Sequence, residues 1–144
     1  MPKRKYSINS KLQDCVVVSL INSCIYLNIK PPNRKYLTDL LCCKNGTAIG
    51  FEKHFDKYPV KMRKRDYLED VLDCGIITIM HPKYNLHSVF CFTRDTKIYL
   101  VNSLLGNKKY TKNENVQSIS YERLKSLMPR HKMHQKFYKV GHKW

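Results

Sequence analysis

Apolar residues near the start of the chain recur at the three- and four-residue spacings of an α-helix. The pattern runs from Val16 to Leu27 and stops at Asn28. Asp14 directly precedes it as a candidate N-cap, which predicts that Cys15 lies in the first turn of the helix. Two further short helices are predicted around residues 36–43 and 51–58.

Strand-like patterns dominate the second half of the chain. The most hydrophobic and β-branched run, residues 75–80, is predicted to be a central strand. Runs 87–93 and 97–102 are separated by a loop of hairpin length and are predicted to pair antiparallel. The remaining predictions are an edge strand at 60–63, short helices at 67–72 and after Ser120, a polar loop at 103–119 and a last strand at 137–140. Helices followed by an antiparallel sheet indicate the α+β class.

Composition narrows the class of protein. The chain has 144 residues, of which 42% are hydrophobic, and this excludes a disordered chain. The length favours one domain over residues 1–144, with a basic arm at 1–8. No apolar run approaches the ~20 residues that cross a bilayer, and no signal-peptide core follows the basic first residues. We therefore expect a cytoplasmic protein that has no membrane partner.

The cysteine pattern gives no sign of a disulfide framework or a zinc site. There are six cysteines, and no two of them form a Cys-x-x-Cys pair. Most lie within apolar stretches, and no secretory signal is expected. We therefore expect reduced thiols and neither a metal nor an organic cofactor.

The chain is strongly basic, with a formal net charge of +16 from 27 Lys and Arg residues against 11 Asp and Glu residues. A charge of this size permits binding to polyanions such as nucleic acid. The candidate phosphate contacts are Lys61, Arg63, Lys64 and Arg65, and the run Arg130, His131, Lys132, His134 and Lys136. The alternative is a solvated surface without a specific partner, because charge alone gives weak and salt-sensitive affinity.

Three residues are candidates for nucleophilic catalysis. Cys15 at a helix N-terminus would have its thiolate stabilised by unpaired backbone N–H groups. His87 begins one strand of the predicted hairpin and Asn102 ends the other, so the two are expected at the same end of the hairpin. Cys, His and Asn in this order suit a nucleophile, its base and the group that orients the base.

Each of these residues also has a purely structural interpretation. A cysteine most often acts as a small buried hydrophobe, and a strand histidine is most often bonded to a neighbour. Asn102 could simply cap the turn that follows its strand. His81 and His54 are rival bases, although Pro82 places His81 in a turn and His54 is expected to be exposed.

The motifs, taken together, resemble the papain-like bacteriocin-processing peptidases attached to ABC exporters. The matching pieces are Asp14-Cys15 and residues 46–51, 75–79, 87–90, 100–103 and 121–128. The resemblance implies Cys15 as nucleophile, His87 as base and Asn102 as its orienting residue. It also implies an amide oxyanion donor before the cysteine, which is Gln13 or Asn9, with Gln13 preferred because it is the family's residue type. Val16 departs from the family, which has glycine after the cysteine.

Three functions follow as hypotheses. The first is a papain-like thiol hydrolase that acts on a peptide or protein by acyl transfer, as a peptidase, isopeptidase or related enzyme. The second is a catalytically inactive basic binding protein of phage or mobile-element origin, which acts on nucleic acid or on a host complex. The third is an assembly factor, in which Cys15 is buried far from His87.

Overall fold

The computed structural model describes residues 6, 15–41, 50–83, 85–105 and 115–143. Three α-helices lie in this part of the chain. They are α1 (Cys15–Tyr26), α2 (Arg34–Leu40) and α3 (Tyr121–Ser126). The predicted first helix is therefore confirmed, and Asn28 follows it at a φ of 60°, a left-handed conformation that ends helices and that asparagine tolerates. Asp14, the predicted N-cap, lies outside the described residues.

Six strands form one sheet in which every neighbouring pair is antiparallel. The strands are β1 (Lys61–Arg65), β2 (Cys74–His81), β3 (Asn85–Arg94), β4 (Lys97–Val101), β5 (Val116–Ile119) and β6 (Phe137–Gly141). Their order across the sheet is β1-β6-β2-β3-β4-β5, so the last strand of the chain inserts between the first two. The predicted α+β fold, the central strand, the edge strand and the hairpin are confirmed.

Each face of the sheet carries its own apolar core. The front face, defined here as the face that contacts α1, contributes Ile76, Phe90 and Tyr138 to a core with Val17 and Leu20 of that helix. The back face contributes Ile77, Ile79, Val89, Cys91 and Phe137, which pack with Leu68, Val71, Leu105 and Leu124. Because successive strand residues point to opposite faces, these two sets alternate along β2 and β3.

Several local predictions differ from the structure. Residues 52–57 form a 3₁₀ helix rather than an α-helix, and the helix predicted at 67–72 is only the 3₁₀ turn Leu68–Asp70. Strand β5 falls within the region predicted as a polar loop. Tyr6, within the predicted basic arm, is buried in the front core. In the described part of the chain, no helix combines the length and apolarity needed to cross a bilayer.

Candidate active site

Cys15 is the first residue of α1 and lines a cleft between that helix and the front face of the sheet. The cleft has a volume of about 430 Å³. Strands β2, β3 and β6 supply Thr78, Ser88 and Tyr138 to its wall. The helix is held in place because α1 packs along β3 and its interior side chains are almost completely buried. The sequence therefore places a cysteine, itself buried, in the wall of a formed cleft.

Basic groups outnumber acidic ones in this cleft. Lys53, His134 and Lys136 line it, and Glu52 is its only acidic lining residue in the described chain. The carboxylate of Glu52 lies 3.3 Å from Nζ of Lys64 and accepts a hydrogen bond from Tyr138. Burial first, and then this neighbouring carboxylate, raise the pKa of the Tyr138 hydroxyl. The acidic charge is thus already paired, and the cleft is electropositive.

His87 lies on the back face of the sheet. In the sheet register His87 is opposite Ile79, and Val89 is opposite Ile77; Ile77, Ile79 and Val89 all belong to the back core. Ser88 is opposite Thr78, and both line the cleft on the front. The His87 ring is 3% exposed, and its Nε2–H donates to the backbone oxygen of Asn102 at 2.8 Å. Burial is the main reason that the pKa of His87 lies below its ordinary value. His87 is therefore a neutral, structural imidazole in this arrangement.

The predicted pairing of Cys15 with His87 is not formed, because the sheet lies between the two side chains. The physical reason is the two-residue period of a strand: a shift of one position moves a side chain to the other face. Ser88 thus occupies the front position where an imidazole facing Cys15 was predicted. The hairpin itself does bring His87 and Asn102 together at one end, as predicted.

Asn102 contacts His87 through its main chain. Its φ is 61°, its N–H donates to the backbone oxygen of Asn115 at 2.7 Å, and its carbonyl accepts from His87. This geometry fits the alternative in which Asn102 shapes the turn after its strand. The predicted oxyanion donors Gln13 and Asn9 lie outside the described residues.

A second buried histidine lies beside the first on the back face. His81 ends β2, and its ring centroid is 5.9 Å from that of His87. Its Nε2–H donates to the backbone oxygen of Leu104 at 2.6 Å, and its Nδ1 accepts from the N–H of Lys83 at 3.0 Å. The two imidazoles together anchor the carbonyls of Asn102 and Leu104. His81 is therefore not in the turn where it was predicted, and it does not line the cleft.

The predicted phosphate contacts are divided between two faces. Lys61, Arg63 and Arg65 are exposed on the back side of the edge strand, whereas Lys64 points forward to Glu52. In the second group, Arg130 and Lys132 are exposed. His134 and Lys136 instead line the cleft beside Cys15.

All four described cysteines are buried, Cys15 included, and none forms a disulfide with another. Burial raises the pKa of Cys24 to about 11 and that of Cys74 to about 12, and it raises the pKa of Cys91 as well. Across the described ranges, no group of three or more His, Cys, Asp or Glu side chains could hold a metal ion. Cys15 is 5% exposed and is the described thiol that lines the cleft. Its burial, and its place on the opposite side of the sheet from His87, are also what the assembly-factor hypothesis predicts.

Helices packed on a six-stranded antiparallel sheet, with a cysteine opening the central helix, give the molecule a papain-like fold. Among solved structures, the chain is similar to the peptidase domain of Streptococcus ComA, described as a bifunctional ABC transporter involved in a quorum sensing pathway. The TM-score is 0.68 with 12% sequence identity, over 97% of this chain and 99% of that domain. At this identity the similarity establishes the fold alone. No known family profile and no curated protein matches the sequence.

The sequence did not single out His134 and Lys136 as cleft residues. Both belong to the basic run before the last strand. They reach the cleft because β6 inserts beside β2, a crossover that no local pattern specifies. The available signal was a histidine two residues before a lysine at the start of a predicted strand, which alone is not distinctive.

Proposed function

We propose that this protein is a papain-like thiol hydrolase in which Cys15 is the nucleophile for acyl transfer from a peptide or protein. The observation that carries the proposal is the position of Cys15, at the N-terminus of the central helix and in the wall of a cleft of about 430 Å³. The positive end of the helix dipole favours a thiolate at that position. A cleft of this size is within the range that binds small ligands and short peptide segments.

The proton acceptor that the cleft favours is His134. It is the imidazole that lines the cleft with Cys15 in the described chain, whereas His87 faces the opposite side of the sheet. In the proposed reaction, the Cys15 thiol transfers its proton to His134 and the thiolate attacks the substrate carbonyl. The C–N bond breaks as His134 protonates the leaving amine, and water then hydrolyses the acyl-enzyme.

The charge of the cleft suggests which substrates to test first. Lys53 and Lys136 line it, and the carboxylate of Glu52 is already paired with Lys64. A peptide with Asp or Glu beside the scissile bond would place a carboxylate near these two lysines. The Cys15 backbone N–H is the proposed oxyanion donor, with Gln13 or Asn9 as the second.

The test is the pH dependence of Cys15 alkylation by iodoacetamide, followed by mass spectrometry of the native chain. We expect labelling of Cys15 below neutral pH, at least tenfold faster than for a thiol of ordinary pKa. The rate should fall in His134→Gln and stay unchanged in His142→Gln, a matched control at an exposed position. If fast labelling is lost in His87→Gln and kept in His134→Gln, His134 is not the proton acceptor. The pairing of Cys15 with His87 that the sequence predicts would then be restored.

The second candidate is a catalytically inactive binding protein with the same fold. The observation that favours it is Ser88, which takes the front position of β3 beside Cys15 where a catalytic imidazole was predicted. Under this candidate, Cys15 labels no faster than an ordinary thiol at any pH, and no variant changes the rate. A cytoplasmic location and the absence of a cofactor stay predictions under both candidates.

A further inference from the structure

The edge strand β1 carries a row of three basic side chains on one face. Lys61, Arg63 and Arg65 occupy alternate positions, and all three are exposed. Met62 lies between Lys61 and Arg63 in the strand, and its side chain faces the front core. Since successive side chains alternate, the row lies on the back side of the sheet. Alternate residues of a strand lie ~7 Å apart, so the three charges form a straight track ~14 Å long.

The charges of this row are available to a partner. Two ion pairs lie nearby, Lys64 with Glu52 and Lys139 with Asp73. Neither involves the row, and in the described chain Lys61, Arg63 and Arg65 form no ion pair. A line of unneutralised cations on a rigid strand attracts an anionic polymer.

An exposed aromatic residue lies at the end of the row. Tyr67 follows Arg65 by two residues and is 67% exposed. The other exposed tyrosine in the described chain, Tyr36, is 52% exposed. Tyr67 lies just past the end of β1, beyond the exposed Asp66. An exposed aromatic ring next in sequence to a basic track can stack on an unpaired base. A lipid surface presents a plane of headgroups, so a single line of charges does not match its geometry.

We infer that Lys61, Arg63, Arg65 and Tyr67 form a binding surface for single-stranded nucleic acid. The three cations contact successive phosphates of one backbone, and Tyr67 stacks on a base. Recognition is sequence-independent, because the surface offers charge and a ring face rather than an array of base-edge contacts. The three basic residues lie on the back of the sheet and the Cys15 cleft on the front, so the inference does not depend on the proposed hydrolase.

The test is fluorescence anisotropy of a labelled oligothymidine, titrated with the full chain over a series of salt concentrations. The first variant replaces Lys61, Arg63 and Arg65 with Gln. The matched control replaces Lys30, Lys35 and Lys97 with Gln, three exposed lysines elsewhere, so both variants lose the same charge. We expect at least a tenfold loss of affinity for the first variant and a salt slope smaller by about 2, since each single-strand phosphate contact contributes ~0.7. The control should retain nearly all of the affinity.

A Tyr67→Leu variant separates stacking from charge. It should weaken binding roughly tenfold with an unchanged salt slope, because the ring contributes no ionic contact. Equal losses in the two charge variants would overturn the inference in favour of diffuse attraction. Tighter binding to duplex DNA of the same length would also overturn the inference. It would be overturned as well if the three basic residues were needed to bind phosphatidylserine-containing phosphatidylcholine vesicles but not to bind the oligothymidine. Circular dichroism of each variant checks that the fold is retained.

Discussion

The Nε2–H of His87 donates to the backbone oxygen of Asn102 at 2.8 Å, on the face of the sheet opposite Cys15. The two residues predicted to complete a catalytic triad therefore join β3 to the segment that leaves β4. Asn102 has a φ of 61° and Leu104 a φ of 58°, and buried imidazoles bond to the carbonyls of both. A non-glycine residue rarely adopts this conformation without such support.

The first prediction concerns the pH dependence of stability. Because burial holds the pKa of His87 below its ordinary value, the unfolded chain binds this proton more readily than the folded chain. The free energy of unfolding should therefore be insensitive to this group above about pH 7 and should fall as the pH decreases toward 5, by at most about 1.4 kcal/mol per pH unit.

The measurement is urea denaturation across this pH range for the native chain, His87→Gln and the exposed control His131→Gln. The His87→Gln variant should show a flatter pH profile, because glutamine retains a donor for Asn102 but does not titrate. The interpretation of His87 as a buried neutral imidazole is wrong if its replacement leaves the slope unchanged.

The second prediction concerns Gly75 in the central strand. A methyl group at Gly75 would lie 2.6 Å from the backbone oxygen of Val71 and 2.8 Å from that of Tyr138. Backbone atoms on both sides cannot move aside cheaply, so Gly75→Ala should destabilise the fold by about 1–3 kcal/mol. Gly141→Ala is the matched control, because nothing lies within 4 Å of its added carbon. Thermal unfolding of the two variants makes the comparison, and equal melting temperatures would contradict the tight packing at Gly75.

The third prediction concerns the buried thiols. Cys24, with a pKa raised to about 11, and Cys74, with one raised to about 12, are almost entirely uncharged at pH 8. Since the thiolate is the reactive form, both should label with iodoacetamide at least a hundredfold more slowly in the native chain than in urea. Peptide mass spectrometry reports each site separately. Rapid native labelling of Cys74 would show that β2 opens locally.

The fourth prediction concerns the start of α3. The Ser120 hydroxyl oxygen accepts a hydrogen bond from the N–H of Arg123 at 3.2 Å, and the helix buries Leu124 against the back face. Ser120→Ala should lower the free energy of unfolding by about 1 kcal/mol. Ser126→Ala is the control, since its exposed hydroxyl lies at the other end of the helix, and we expect a change within about 0.5 kcal/mol. Chemical denaturation distinguishes the two, and a larger loss in Ser126→Ala would contradict the capping role.

Local patterns in the sequence determined most of the elements. The apolar spacing after Asp14 predicts α1, and the β-branched run at 75–80 predicts the central strand. The short loop at 94–96 predicts the β3–β4 hairpin, which brings His87 to Asn102. Each of these predictions rests on interactions between residues near in sequence, where period and turn chemistry are informative. The α+β class followed from their order, and the papain-like fold from the resemblance of the motifs to a known family.

Only the tertiary structure decided which face of β3 meets α1. Val89 and Cys91 are as apolar as Phe90 and Phe92, because helices or loops cover both faces of the sheet. A strand that is buried on both sides has no polar alternation to mark its phase, so the sequence could not assign His87 to a face. The insertion of β6, which brings His134 to the Cys15 cleft, was equally hidden, because strand order depends on packing between residues far apart in the chain.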